Sequence, residues 1–337
     1  RGKAVAIGVV VMCGGMLGLF AIAPMFSPVS WFAMMLTLVF SAFSFLTIAF
    51  YAQGVGKADT MAAGGHLRIA RWRETGALLG VCAASIAPFV FLFYMEAEFT
   101  GFAIAFAMLG LLAVLLMRHE WGNAKPDAGP GFRVILQDTQ ARRLLLIALV
   151  NAAPVAVSST LFLFFVESRL AAPGQEGTLL LLFFVSAAVA APIWGILAQK
   201  YGIKPVLLVA MVLAVFAFAV AITLGSGDTF LFALVCVATG AAMGADLTLL
   251  PAAFATRMAE IAPNAAEGFG LWALVSKLSL AFAAVVLLPL LERAGFSSGG
   301  ENTEASLWLL TLLYAAVPCG LKCLAIALLA TTQLEKG

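Results

Sequence analysis

The chain has 337 residues, 63% hydrophobic and 11% charged, with a net charge of +2 and a mean hydropathy of +1.07. A soluble domain is nearer half apolar and a quarter charged, so this composition excludes one and predicts a polytopic membrane protein. No basic run suits nucleic acid, and the cysteines (Cys13, Cys82, Cys236, Cys319, Cys323) all lie in apolar stretches where disulfides are not expected.

Arg1-Gly-Lys3 precedes the first apolar run with no initiator Met and no signal-peptide pattern, so the chain reads as cut from something longer. Ten apolar segments follow, near 4–26, 31–54, 76–95, 99–117, 144–166, 178–198, 205–225, 229–254, 268–291 and 306–330. Hydrocarbon offers no partner to backbone N–H and C=O groups, and the alternation of a barrel is missing, so all ten are predicted to be helices. Between the fourth and fifth lies the polar stretch Asn123-Ala-Lys-Pro-Asp-Ala-Gly-Pro-Gly131, rich in Pro and Gly. It predicts a partial N-terminal bundle over 1–120, a cytoplasmic linker over 121–143 and a six-helix bundle over 144–337. With the N-terminus placed in the cytoplasm, fifteen of the 19 Lys and Arg residues fall in inner loops, which predicts that both ends are cytoplasmic.

Two charges stand out within spans. Asp246 lies 11 residues before Arg257 and Lys277 lies 10 after Glu267, which at about 1.5 Å per residue puts both ~15 Å from the cytoplasmic face of a ~30 Å core. Intramembrane charges mark substrate or ion paths and avoid lipid by pairing. Asp246 and Lys277 are therefore expected to pair in a polar cavity, with Lys277 binding an anionic or hydroxyl-rich substrate group. Lys322, nearer a helix end, is expected to snorkel to the interface. Gly76-x-x-x-Gly80 and Gly240-x-x-x-Gly244 predict close helix contacts. Most spans carry one kinking proline (Pro24, Pro88, Pro154, Pro192, Pro251, Pro289, Pro318).

Gly195-Ile-Leu197-Ala198-Gln199-Lys200-Tyr-Gly202-Ile-Lys204 resembles the loop signature G-x-L-A-D-R-x-G-R-K of the major facilitator superfamily, with Gln199 in place of its acid. Asp246-Leu-Thr-Leu-Leu-Pro251 and Glu267-Gly-Phe-Gly270 through Lys277 look like the tenth and eleventh helices of the glycoside–pentoside–hexuronide:cation symporters, the melibiose permease family. Asn151-Ala-Ala-Pro154 through Phe165 is similar to that family's seventh helix, and Arg71-Trp-Arg73-Glu74-Thr-Gly76 to the start of its fifth. The resemblance implies an all-α polytopic membrane protein of the major facilitator fold. Ten of its twelve helices are present, numbers three to twelve, in two bundles that give alternating access to a central site. It also implies a monomer in a bacterial inner membrane, without cofactors.

On this reading Gly195, Gln199, Lys200, Gly202, Lys204, Arg71 and Arg73 form the gating region. Lys277 is the family site residue that carries over directly. The family's fourth-helix acid aligns with about Thr47, so Na+ or H+ coupling has no carboxylate to support it. Further polar candidates on cavity-lining helices are Ser41, Ser44, Thr47, Tyr51, Gln53, Asn151, Ser158, Ser159, Thr160, Ser276 and Ser279, with Tyr51 and Asn151 ranked first because a buried phenol or amide is costly to leave unpaired.

The expected function is secondary transport of a sugar or glycoside, the alternative cargo being a lysolipid or other amphiphile. No G-x-x-x-x-G-K-[ST] supplies an ATP site. An intramembrane enzyme would need a constellation such as H-E-x-x-H or G-x-S-x-G, which the chain lacks. An inactive truncated chain is the remaining alternative.

Overall fold

The computed structural model describes all residues except 1, 59, 62–63, 93–97, 122–130, 262–265, 301 and 334–337. The described residues form helices and connecting turns: α1 (Gly2–Phe20), α2 (Pro28–Ala58), α3 (Gly65–Leu92), α4 (Glu98–Met117), α5 (Phe132–Gln137), α6 (Thr139–Phe164), α7 (Glu176–Tyr201), α8 (Ile203–Ile222), α9 (Thr229–Ile261), α10 (Ala266–Arg293), α11 (Glu304–Thr311) and α12 (Val317–Thr331). A π-helical turn, Phe165–Arg169, extends α6, and another, Leu312–Ala316, joins α11 to α12 into one span. Among the described residues nine helical runs are long and apolar enough to cross a bilayer. The remaining expected span, 76–95, falls in α3 and runs past its end into residues outside the described set.

Most spans outrun their apolar windows, and α9 continues through Arg257 and Glu260 to Ile261. At the membrane surface water solvates such side chains while the backbone goes on pairing with itself. The expected linker lies largely outside the described residues; after Gly131 the chain is already helical, as α5 and then α6 from Thr139. Asp138 separates these two helices. Its carboxylate accepts from the Ala141 N–H at 2.7 Å, capping α6, and Arg257 of α9 donates to both its oxygens, at 2.5 and 3.0 Å. That guanidinium holds the Asp138 carboxyl below the usual carboxylate range.

In the first bundle α1 packs on α2 and α4, and α3 on α2 and α4; in the second, α6 packs on α9, α10 and α12, α8 on α7, α9 and α12, and α7 on α9. The α7–α9 contact is the tightest. A Cβ built on Gly240 would lie 2.2 Å from the Phe183 carbonyl oxygen, and one on Gly244 2.7 Å from that of Ala187. Only glycine allows this approach, as the sequence pattern predicted. Trp194 Nε1 and Ser186 Oγ donate across the same seam to the Ala241 and Val237 carbonyls, at 2.7 and 2.6 Å. Gly76 and Gly80 correct the parallel expectation: both face open space on α3.

The bundles meet unevenly along their length. At the end carrying Arg68, Lys200, Lys204 and Arg257 (the basic end), one core joins Val55, Leu67 and Ala70 of the first bundle to Ala198, Ala252, Met258 and Phe269 of the second. Further along, Leu78 of α3 packs with Ala187, Ala191 and Met243. Towards the opposite end the core is built on Phe165, Phe232 and Tyr314, and among the described residues it draws nothing from α1–α4. There the two π turns meet, the Phe165 and Tyr314 rings stacking at 4.2 Å.

Candidate functional site

The polar residues at membrane depth fall into three separate groups. The first spans the bundles: Lys277 on α10 is exposed and donates to the Ser44 hydroxyl on α2. Among the described residues it has no carboxylate partner. Thr47 lies three residues beyond Ser44, but its hydroxyl donates to its own helix, to the Phe43 carbonyl at 2.7 Å. Ser276 likewise bonds its own helix at Trp272, at 3.2 Å.

The second group lies inside the second bundle and corrects two expectations. Asp246 pairs with Lys322 of α12, not with Lys277, and Lys322 does not snorkel. Lys322 is 2% exposed and also donates to Asn151 Oδ1 of α6 at 2.6 Å. The geometry of the bundle explains both. Helices α9 and α12 pack against α6 and α8 in common, so residues distant in sequence share one interior. A carboxylate and an ammonium in that interior cost less paired than apart. Asn151 and Asp246 are accordingly turned into the bundle.

The third group joins α2 and α3 at the basic end. Tyr51 donates through its hydroxyl to Glu74 Oε1 at 2.7 Å, and Arg73 Nε donates to the same oxygen at 2.7 Å. The Arg73 guanidinium lies 3.5 Å from the centre of the Tyr51 ring, a close cation–π contact. The same ring meets Phe269 of α10 at 4.9 Å, across the bundle boundary. Tyr51 thus belongs to the joined end, away from the Lys277–Ser44 contact.

The gating residues divide in a similar way. Gly195 of α7 is pressed by Arg71 of α3, whose Cδ would stand 2.7 Å from a Cβ added there. Gly202 ends α7 at a φ of 90°, a left-handed conformation that a side chain would strain, and its N–H bonds the Ala198 carbonyl at 2.9 Å. Lys204 donates to the Ala330 and Thr332 carbonyls, each at 2.8 Å, tying α8 to the end of α12. Lys200 leans over the Tyr201 ring at 5.1 Å, and Gln199 is exposed beside it. Arg71, Gly195, Arg73 and Tyr51 therefore lie where the bundles join, whereas Gly202 and Lys204 organise the second bundle internally.

Sequence reasoning missed Lys322 and Glu74 as partners. One signal for Lys322 was available: Asp246 is the one acid deep within a span and two lysines compete for it. Choosing between them needs the rotation of each helix.

A family model described as MFS/sugar transport protein matches residues 5–336. Among solved structures, the Escherichia coli fucose:proton symporter superposes with a TM-score of 0.70 at 13% identity, over 96% of this chain and 83% of that one. The human organic anion transporter MFSD10 gives 0.67 at 16%, over 98% and 77%. A bacterial homologue of the iron transporter ferroportin, in its outward-facing state, gives 0.65 at 14%, over 98% and 82%. A comparison with curated protein sequences finds no significant match. With the family match running nearly end to end on a two-bundle fold shared with these carriers, the chain belongs to the MFS/sugar transport protein family of membrane transporters.

Proposed function

We propose that this transporter carries a sugar or glycoside, with Lys277 as the residue that grips it at the membrane midplane. The observation that carries the reading is the exposed ammonium of Lys277, held across the bundle boundary by a neutral hydroxyl and, among the described residues, by no carboxylate. An ammonium at that depth is costly, and a substrate offering hydroxyl or acidic oxygens would meet a donor not already spent on a carboxylate. Asp246 and Asn151, engaged with Lys322, become second-bundle framework in this reading, and Tyr51 becomes part of the joined end.

The bundles, residues 1–120 and 144–337 with the segment between as linker, rock against one another about that contact. Placing the basic end in the cytoplasm follows the positive-inside rule. It puts both ends of the chain there, in a bacterial inner membrane, and makes the described conformation one that is closed inward, since the shared core lies at the basic end. The transporter works as a monomer.

A second reading is favoured by the same ammonium: an anionic amphiphile such as a lysolipid would neutralise it outright. Thermal stabilisation of the detergent-purified protein separates the two. Melibiose, 4-nitrophenyl glucuronide and a lysophospholipid are each added, with and without sodium, to wild type and to Lys277→Ala. A ligand that binds only the folded state adds about 2.7 kcal/mol at 100 times its Kd. Stabilisation by a glycoside, lost in Lys277→Ala, is the expected result. Stabilisation by the lysolipid alone would transfer the protein to the second reading. Glycoside stabilisation that survives Lys277→Ala would remove Lys277 from the site.

A further inference from the structure

Asn151, Asp246 and Lys322 are 4%, 8% and 2% exposed, and their arrangement has features that an ion pair serving only as a brace does not need. One carboxylate oxygen of Asp246 holds Lys322, while the other, Oδ1, is buried with no hydrogen-bond partner among the described residues. Buried polar atoms are ordinarily paired, so an orphan oxygen within an otherwise built cluster calls for an explanation. Lys322 meanwhile has a second acceptor, the neutral Asn151 oxygen. The ammonium therefore stays bonded whether or not Asp246 carries its charge.

Each member also sits beside a proline on its own helix: Asn151 near Pro154, Asp246 near Pro251 and Lys322 near Pro318. Pro154 and Pro251 lack an N–H and leave the carbonyls of the preceding turn, at Val150 and Leu247, without their helical partner, and Pro318 opens α12 directly after the π turn. The three helices are thus easiest to bend where the polar cluster ties them together. The cluster also connects to the cleft. On α6, two residues before Asn151, the Leu149 carbonyl accepts from Ser279 of α10 at 3.3 Å, and Ser279 is two residues from Lys277.

We propose that Asp246, Lys322 and Asn151 form an internal proton-binding site, in which Asp246 takes up one proton at its open oxygen and returns it as the second bundle changes shape. This rests on reading the chain as a gradient-driven carrier, and the co-reactant is the proton of the aqueous phase. On uptake an O–H bond forms at Oδ1 and the carboxylate becomes neutral, while Lys322 stays on Asn151. On release that bond breaks, the proton leaves to water and the ion pair is restored. One proton enters and one leaves in each cycle.

Apart from the cysteines of α9 and α12, the other titratable groups stand away from the cluster, and the charged ones have the partners named below. Helix α6 has none between Arg143 and Glu167, α7 none between Glu176 and Lys200, and α8 none beyond Lys204. On α3, Arg73 and Glu74 pair with each other; α2 brings Tyr51, on Glu74, and Lys57, on Glu120; α10 brings Lys277, on Ser44. Cys236 and Arg257 share α9 with Asp246, Cys319 and Cys323 share α12 with Lys322, and Tyr314 lies in the adjoining π turn.

The test is infrared difference spectroscopy of the protein in lipid nanodiscs, following the carboxylic acid C=O stretch as pH is lowered. A protonated-carboxyl signal that grows on acidification in wild type, is lost in Asp246→Asn and is kept in the surface control Glu260→Gln is expected. Asp246→Glu keeps the carboxyl and covers the case in which Asp246→Asn does not fold: the signal should persist at a displaced frequency. A wild type with no titrating signal, the same signal in Asp246→Asn, or an undisplaced one in Asp246→Glu overturns the site. Ligand-induced stabilisation tests the carrier reading without any proton. Stabilisation that persists while the infrared signal is absent would sink the proton site and leave the transport reading intact.

Discussion

Lys277 and Lys322 are the same residue type, both within apolar spans, yet the fold gives them opposite settings. Lys277 is exposed between the bundles with a serine hydroxyl for company. Lys322 is sealed inside one bundle between a carboxylate and an amide. The difference lies in which way each helix is turned. Along α10 and α12 both lysines stand well inside the helix, but one side chain points to the boundary between the bundles and the other into the interior of one bundle. Position along the helix says that such a charge needs a partner; only rotation about the axis says which surface of the molecule it meets.

The largest expected effect breaks the sealed side of this comparison. Lys322→Met should destabilise the detergent-solubilised protein by about 3–5 kcal/mol, because it leaves a buried carboxylate uncompensated. Lys277→Met should stay within about 0.5 kcal/mol, as expected for a substitution that disturbs no packed contact. Thermal or denaturant unfolding of both variants, run side by side, checks this. Similar losses in the two would mean that Lys277 is as structural as Lys322.

A smaller contrast uses two glycines. Gly244→Leu forces a side chain into the Ala187 backbone and should cost at least about 1–3 kcal/mol, the usual range for overpacking. Gly80→Leu, on the open face of α3, should be neutral within about 0.5 kcal/mol. Unfolding midpoints would show it, and a sizeable loss at Gly80 would place an unrecognised contact on that face.

The mildest effect is one of pH, at the water-facing join between α5 and α6. Asp138 has its folded-state pKa lowered by Arg257, so its contribution is fully present above the ordinary carboxylate value and disappears as pH falls through the lowered one. Stability should therefore decline on the acid side, and the decline should be shallower in Asp138→Asn. An unchanged acid limb in that variant would show the clamp to be energetically idle.

Most of the fold could be read from the chain because an apolar run long enough to span a bilayer has few other destinations. The close approach at Gly240 and Gly244 was legible for a similarly local reason. The failures share one cause. Asp246 was assigned to Lys277 because the two lie at equal depth on consecutive helices, but consecutive helices need not share an interior, and α9 meets α12 through their common neighbours. Gly76 and Gly80 carry the same spacing as Gly240 and Gly244 and yet face outwards. An apolar helix with little amphipathic pattern gives no sign of its inward face, and these helices are apolar nearly all round. Lys277 could be found because it is costly in any orientation; its serine partner could not be singled out from the other small polar residues on α2.

The seam between α7 and α9 offers an internal ruler. Glycine lets two backbones touch there, and Trp194 and Ser186 stitch the same face, so spectroscopic labels on the outer surfaces of these two helices should keep a constant separation through the whole cycle. Labels on α2 and α10 straddle the boundary instead. Measured together, the fixed pair calibrates the moving one within the same molecule.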